Sequence, residues 1–457
     1  MSLLKYITLT SITIFLSACT SIDNVETVKN EALDKAPPTA WSTHIKQNIV
    51  GPKEWVQSFN DPLLTGLIEE GNASNLDLQV AAANMDKAWL LAKQSGVTLK
   101  PTIDLSLSHS HTSSVGGGNS TPSSGVGLQA SWELDVWGRI QSGIDASSAN
   151  AESLQADYIF AKHSLSANIA KSYFKVVEAK LQADITKKNV SILDKNLRIS
   201  QVKYENGSTS AQDVALNKAN LASAQEQLIA TENSKRDGIR ALEVLIGRYP
   251  STTLDIGTAL PILPSPPPLG TPSLLLERRP DLISAERQLA AAYKVTEQAK
   301  AAQLPNFSLT SSISGASESL SNVLNPSNLA WQLVGNILAP IYDGGRRKID
   351  VEIASKEQTL ALANYQKQAL VAFSEVENNL DLSVSLAKRE IALIEAYKQN
   401  QKAYKIAELR YKEGESELLD LLQIQQQTIS AESSLLSIKR LQLEQRINLY
   451  LALGGKW

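Results

Sequence analysis

The chain contains one cysteine, four histidines and only 5% aromatic residues. A single thiol, Cys19, excludes any disulfide within the chain. His109 and His111 stand two apart with no third histidine, cysteine or carboxylate beside them, so no metal centre is expected. Scarce aromatics with abundant Ala, Leu, Gln, Glu and Lys suit helices packed at close range better than one thick core. The formal net charge of -3 argues against a nucleic-acid partner, which would need a basic face. Neither a nucleophile elbow nor a glycine-rich phosphate loop is present, so no enzyme is expected. Beyond the first residues no apolar run approaches the roughly 18 needed for a spanning helix, which leaves β-strands for any membrane crossing.

What the chain does contain is a repeat. From Arg347 to Leu453 apolar and polar residues alternate at helical spacing, and Gly414 is the one strong breaker. A step of about 207 residues back takes Tyr411-Lys412-Glu413-Gly414 to Tyr204-Glu205-Asn206-Gly207. The same step takes Asp420 to Asp213 and Gly345-Arg346 to Gly138-Arg139. Three anchors in one register predict an internal duplication, each copy carrying a helical hairpin that turns at Gly207 or Gly414.

At the N-terminus, Lys5, an apolar stretch over Tyr6 to Phe15 and Leu16-Ser17-Ala18-Cys19 read as a signal peptide over 1–18. The end of this stretch resembles the lipobox of bacterial lipoproteins, which implies cleavage before Cys19 and acylation there. Apart from that covalent lipid no cofactor is expected. Thr20 follows the cysteine where an Asp would resemble an inner-membrane retention signal, so the outer membrane is the expected destination.

Residues 19–60 are polar with scattered prolines and read as a tether wrapping a larger body. The first repeat, 61–246, opens with a helix from Leu63 to Leu99, kinked near Gly71, with Asn60 or Asp61 as N-cap and Pro62 in its first turn. A β-hairpin over 101–137 follows: Ile103, Leu105 and Leu107 alternate with polar residues. After a Gly/Ser loop from Ser113 to Gly125, Val126, Leu128, Ala130, Trp132, Leu134 and Val136 do the same. A long helix to Glu205 and a return helix from Ala211 to Ile246 complete this copy. Seven prolines between Gly247 and Glu277 predict a surface linker without helix. The second repeat, 278–453, opens at Arg278-Arg279-Pro280-Asp281, read as a cap with surface ion pairs, and carries a second hairpin over 306–342 before its own helix pair; 454–457 form the C-terminal end.

Strands of about ten residues, apolar on one side, match what crosses a bilayer obliquely. Trp132, Trp137, Trp331 and Tyr342 suit interfacial girdles. Four strands cannot close alone, because single-chain barrels start at eight, and an open edge in lipid leaves backbone groups unsatisfied. Three copies would supply about twelve strands and leave a lumen. The expected fold is therefore an α+β membrane protein: a trimeric 12-stranded transmembrane β-barrel, four strands per chain, continuous with a long periplasmic α-helical barrel.

Several motifs agree with one family. Cys19, Ser131-Trp132-Glu133-Leu134-Asp135-Val136-Trp137-Gly138-Arg139, Arg278-Arg279-Pro280-Asp281, Pro340-Ile341-Tyr342-Asp343-Gly344-Gly345-Arg346, Arg410-Tyr411 with Gly414, and the terminal Leu451-Ala452-Leu453-Gly454-Gly455-Lys456-Trp457 resemble the TolC-like outer-membrane efflux factors, in particular their lipoprotein (NodT-type) branch serving resistance-nodulation-division pumps. The resemblance spans essentially the whole chain after the signal. It implies a homotrimer in outer-membrane lipid that works with a periplasmic adaptor and an inner-membrane pump. It assigns Asp213 and Tyr411 to a closing hydrogen bond between neighbouring helix pairs and Asp420 to an acidic ring that narrows the bore. Gln423 replaces a second acid found in family members, and Ser416 stands where an arginine latch can occur, so a less acidic constriction with Leu419 in the plug is expected. Two other readings stand beside it: a lipid-anchored coiled-coil adaptor or rod without a pore, and a channel whose cargo is secreted protein or one metabolite.

Overall fold

A computed structural model describes residues 38–43, 55–112 and 121–455. The signal segment, Cys19, the centre of the first hairpin loop and the last two residues lie outside the described residues. The helices are α1 (Pro62–Ser74), α2 (Leu76–Val97), α3 (Arg139–Glu205), α4 (Ala211–Leu245), α5 (Pro272–Arg278), α6 (Pro280–Ala301), α7 (Arg346–Glu413) and α8 (Leu418–Ala452). The strands are β1 (Thr102–Thr112), β2 (Thr121–Leu134), β3 (Asn306–Ser317) and β4 (Leu329–Leu338).

The duplication extends to hydrogen bonds. After α3, Ser208 N–H donates to the Lys203 carbonyl at 2.7 Å, and after α7, 207 positions on, Glu415 N–H donates to Arg410 at 2.8 Å. Gly207 and Gly414 take the left-handed backbone (φ 71° and 81°) that lets the chain reverse there without a Cβ clash. A fourth anchor in the same register ends the return helices: Arg248 N–H donates to Glu243 after α4, and Gly455 N–H to Tyr450 after α8. Gly247 and Gly454 supply the positive φ at those ends.

Helix α3 runs 67 residues and α7 68, about 100 Å each at 1.5 Å per residue. Helices α2 and α4 share the length of α3, while α6 and α8 share that of α7. Because α3 also packs on α6 and α8, the strand-side layer runs α2-α3-α6-α7 and the turn-side layer α4-α3-α8-α7. Buried Ala149, Ala151, Ala156, Ala167 and Ala170 of α3 and Ala369 and Ala372 of α7 allow this close approach. Both ends of the layer expose apolar residues: Val80, Leu90 and Ile229 on the α2/α4 edge, Leu360, Leu370, Ile391 and Leu409 on α7.

The widest core lies where the helices meet the linker. Trp55, Phe59, Tyr173, Phe174 and Tyr450 pack there, and Asp61 caps α1 through Leu64 N–H while accepting from the Tyr173 hydroxyl at 2.8 Å. The tether docks on the linker and the second repeat, with Trp41 donating to the Gly270 carbonyl and Ser42 bonded to Glu377. The buried Glu243 carboxylate accepts the N–H groups of Thr252, Thr253 and Leu254 and so fastens the start of the linker.

Along the helices and linker the structure departs from the sequence reading at three places. The first helix breaks at Asn75, not Gly71: Asn75 caps α2 through Leu78 N–H and donates to the Leu245 carbonyl at 2.8 Å. Gly71 has a packing role instead, since an added Cβ would collide with Ile169 Cδ1. The linker does contain a helix, α5, because Pro272 occupies its first position, where no N–H is needed. Arg279 forms no surface pair; at 3% exposure it donates twice to Asp281 and once each to Glu375 and the Ala452 carbonyl. Gln368 also donates to Asp281, joining α6, α7 and the end of α8.

The strands form one antiparallel sheet in the order β1-β2-β3-β4. β2 begins at Thr121, within the expected loop, and β4 stops at Leu338, two residues before Pro340. The register places Leu105, Leu128, Ile313 and Trp331 side by side. Since residues two apart share a face, Ile103, Leu107, Val126, Trp132, Phe307, Leu333 and Ile337 join them, and Asp104, Ser106, Gln129, Ser312 and Gln332 face the other way. β1 pairs only with β2 and β4 only with β3, so among the described residues the outer edge of each has no strand beside it.

Leu105→Arg is expected to oppose membrane insertion by about 2 to 4 kcal/mol, whereas Ser106→Arg on the polar face is tolerated; urea titration of folded trimer in vesicles measures the difference. Burial raises the Asp281 pKa, but the Arg279 hydrogen bonds and charge outweigh it and hold the carboxyl below its usual range. Its stabilisation is therefore complete above the unfolded pKa of about 3.9 and fades as pH falls through the lower folded value. Asp281→Asn should cost about 3 kcal/mol at neutral pH and lessen the loss of stability in acid, as read from thermal unfolding against pH.

Candidate gate at the helix tips

Opposite the sheet, two helical turns form the far end of the molecule, and each returning helix carries an acid three residues inside its start. In α4 that acid is Asp213. It accepts from Ser210 N–H while Ser210 Oγ accepts from Asp213 N–H, a reciprocal cap, and it also accepts from Thr209 Oγ1 at 2.5 Å. The Thr209 hydroxyl leads in holding the Asp213 carboxyl below its ordinary range, aided by Ser210 against a small burial cost.

In α8 the equivalent acid is Asp420. Glu417 replaces the serine and makes no side-chain cap. Asp420 is left exposed, without a hydrogen bond or ion pair among the described residues. With Arg410, Ser416 and Gln423 it lines a groove of about 550 Å³ between the end of α7 and the start of α8. Leu419 projects beside it at 60% exposure, while Leu418 and Leu421 turn into the apolar cluster with Ala407 and Tyr411. The shared six-residue offset of Asp213 and Asp420 from their glycines is thus a helix-start position, occupied by a capping acid in one copy and by a non-capping one in the second.

Tyr411 and Asp213 do not pair within the chain. Tyr411 is only 5% exposed, its hydroxyl 3.2 Å from Ser200 Oγ of α3, which in turn accepts from Asn217 Nδ2 of α4 at 2.5 Å. Lys203 donates to the Tyr411 carbonyl at 2.8 Å and lies 4.3 Å from its ring centre. The equivalent Tyr204 is half exposed. Ser200, Lys203 and Asn217 were missed in the sequence; the signal was Asn217, a polar residue one heptad before the buried Ala224.

Polar contacts continue up the seam between α3 and α8. Gln425 bridges Asn189 and Asn196, Gln182 exchanges two hydrogen bonds with Ser433, and Glu178 takes Ser437 and Arg440. Such bonds can be exchanged for water when helices slide, without exposing an apolar core.

A polar-lined sheet open at both edges, continuous with a layer of helices about 100 Å long that closes on itself only with further copies, defines a membrane channel. The model of the outer membrane efflux protein family matches residues 67–248 and 271–455. The chain belongs to that family. It is 29% identical over 419 residues to the pyoverdine export outer membrane protein OpmQ of Pseudomonas aeruginosa, covering 89% of this chain and 88% of that protein. It is 30% identical to the solvent efflux pump outer membrane protein SrpC of Pseudomonas putida, covering 87% and 86%. Among solved structures, the CmeC outer membrane channel of Campylobacter jejuni superposes with a TM-score of 0.86 at 25% identity, over 92% of this chain and 91% of that one.

The protein is accordingly an outer-membrane efflux channel. Three copies close a twelve-stranded barrel in the outer membrane above a periplasmic barrel of helices, and the assembly works with a periplasmic adaptor and an inner-membrane pump. The pore-free rod is thereby excluded.

Proposed function

We propose that this channel passively conducts small toxic compounds released to it by the pump, without transforming them, and that the helix tips gate the passage. Asp420 supplies the charge at the constriction, with Gln423 and Leu419 beside it. Tyr411 supplies the latch, tying the second hairpin to Ser200, Asn217 and Lys203 of the first. Gly207 and Gly414 form the turns that meet the partner. One observation carries this reading: the two copies share an acid at the start of the returning helix, yet only Asp420 lacks a structural partner. Three such carboxylates around a narrow opening attract cations and repel anions.

The relatives' names point to different cargoes, pyoverdine in one case and solvents in another. Both are small molecules, which favours efflux over protein secretion. Lipid attached to Cys19 is the proposed anchor; the Leu-Ser-Ala-Cys stretch supports it.

Single-channel recording tests the gate. Asp420→Ala should reduce cation selectivity in bilayers, and unchanged selectivity would remove it from the constriction. Tyr411→Phe removes one hydrogen bond of about 1 kcal/mol, so the open fraction should rise about fivefold; an unaltered record would show that the latch lies elsewhere. For the anchor, Cys19→Ser is expected to abolish palmitate labelling, and persistent labelling would refute acylation at that sulfur.

A further inference from the structure

The cations around the membrane-crossing sheet are distributed to one side only. From Leu105 to Glu133 and from Asn306 to Leu338 there is no lysine or arginine, in either the strands or their connecting loops. At the opposite end, where strands give way to helices, Lys100, Arg139, Lys300, Arg346, Arg347 and Lys348 follow or precede the strand ends by two to ten residues.

Three acids at this junction are already engaged, and a fourth, Asp104, lies on the polar face of β1, opposite the face that carries Ile103 and Leu105. Glu133 pairs with Arg139 at 2.7 Å. Asp135 accepts the Ile140 and Gln141 N–H groups that open α3. Asp343 accepts from Gly345 N–H and pairs with Arg347 at 3.2 Å. Lys100, Lys300, Arg346 and Lys348 are exposed and have no ion pair among the described residues. Asp350 and Glu352 lie about one turn further along α7, away from the sheet.

Apolar and aromatic groups surround these cations. Tyr342 is 91% exposed, Ile341, Val136 and Leu304 are exposed, and Trp137 stands against Phe307 with its indole N–H on the Pro305 carbonyl. Aromatic rims beside exposed cations are the surface that lipid headgroups contact.

We infer that the strand-to-helix junction is a collar that binds anionic glycerophospholipid headgroups of the periplasmic leaflet, with Lys100, Lys300, Arg346 and Lys348 contacting phosphate. The inference rests on the barrel's place in the outer membrane. The outward end of the sheet, lacking any cation, has no complement for phosphate, so the charge contrast specifies which leaflet is gripped.

The test is native mass spectrometry of the full trimer released from vesicles of mixed phosphatidylcholine and phosphatidylglycerol. The wild type is expected to retain phosphatidylglycerol well above its share, and the Lys100→Gln, Lys300→Gln, Arg346→Gln, Lys348→Gln variant to lose that preference while remaining trimeric. Should the fourfold variant fail to assemble, the pairs Lys100→Gln/Lys300→Gln and Arg346→Gln/Lys348→Gln are each expected to lower the retention. Equal retention of both lipids by the wild type, or an undiminished preference in the variants, overturns the collar. Complete displacement of the lipid by inorganic phosphate would also overturn it, marking a free-anion site. A chain recovered outside membranes would instead disprove the barrel's placement, a separate result.

Discussion

Everything in this molecule depends on the backbone groups along the outer edges of β1 and β4, which find no partner among the described residues of the chain. In water, such edges can be left to solvent; in a bilayer each orphaned N–H or carbonyl costs several kcal/mol. Four strands have no way to remove both edges, so each copy must lend one edge to each neighbour. The helical layer repeats the problem in apolar terms, since the α2/α4 edge and the α7 edge both expose side chains that water disfavours. A single closure satisfies both, and the channel is the space left inside it.

Duplication supplies the parts, and divergence gives them separate tasks. The same capped turn ends α3 and α7, and the same glycine ends α4 and α8, down to equivalent hydrogen bonds. Between those conserved ends the copies differ. The first retains a serine cap and a satisfied aspartate; the second loses the cap and keeps a free aspartate. The first tyrosine faces solvent, while the second is drawn under α3. Polar bonding along the α3–α8 seam joins the two copies by contacts that solvent can replace, unlike the aromatic core near Tyr173.

The features legible in the sequence were those written in short periods. Alternation marked the four strands, helical spacing marked the long helices, and single glycines marked the tips. What escaped depends on contacts distant in sequence. Asn75 breaks a helix because Leu245 offers it a carbonyl 170 residues away. Arg279 reads as a surface residue until Glu375 and the end of α8 enclose it. Asp213 and Asp420 look equivalent by position, and only the residue at the cap separates them. The family resemblance pairs Tyr411 with an aspartate, and no local pattern reveals that Ser200, 211 residues away, stands beside its hydroxyl.

Between the aromatic core at Tyr173 and the tip at Glu205, α3 contains neither glycine nor proline. Helices kink at such residues, so this stretch of about 48 Å behaves as a stiff lever with its fulcrum beside the linker. A tilt of about 5° there would carry the tip through roughly 4 Å by the same rise per residue. Wide travel at the tip therefore needs only slight rearrangement at the waist, and a molecule gripping the helices there would have mechanical advantage over the proposed gate.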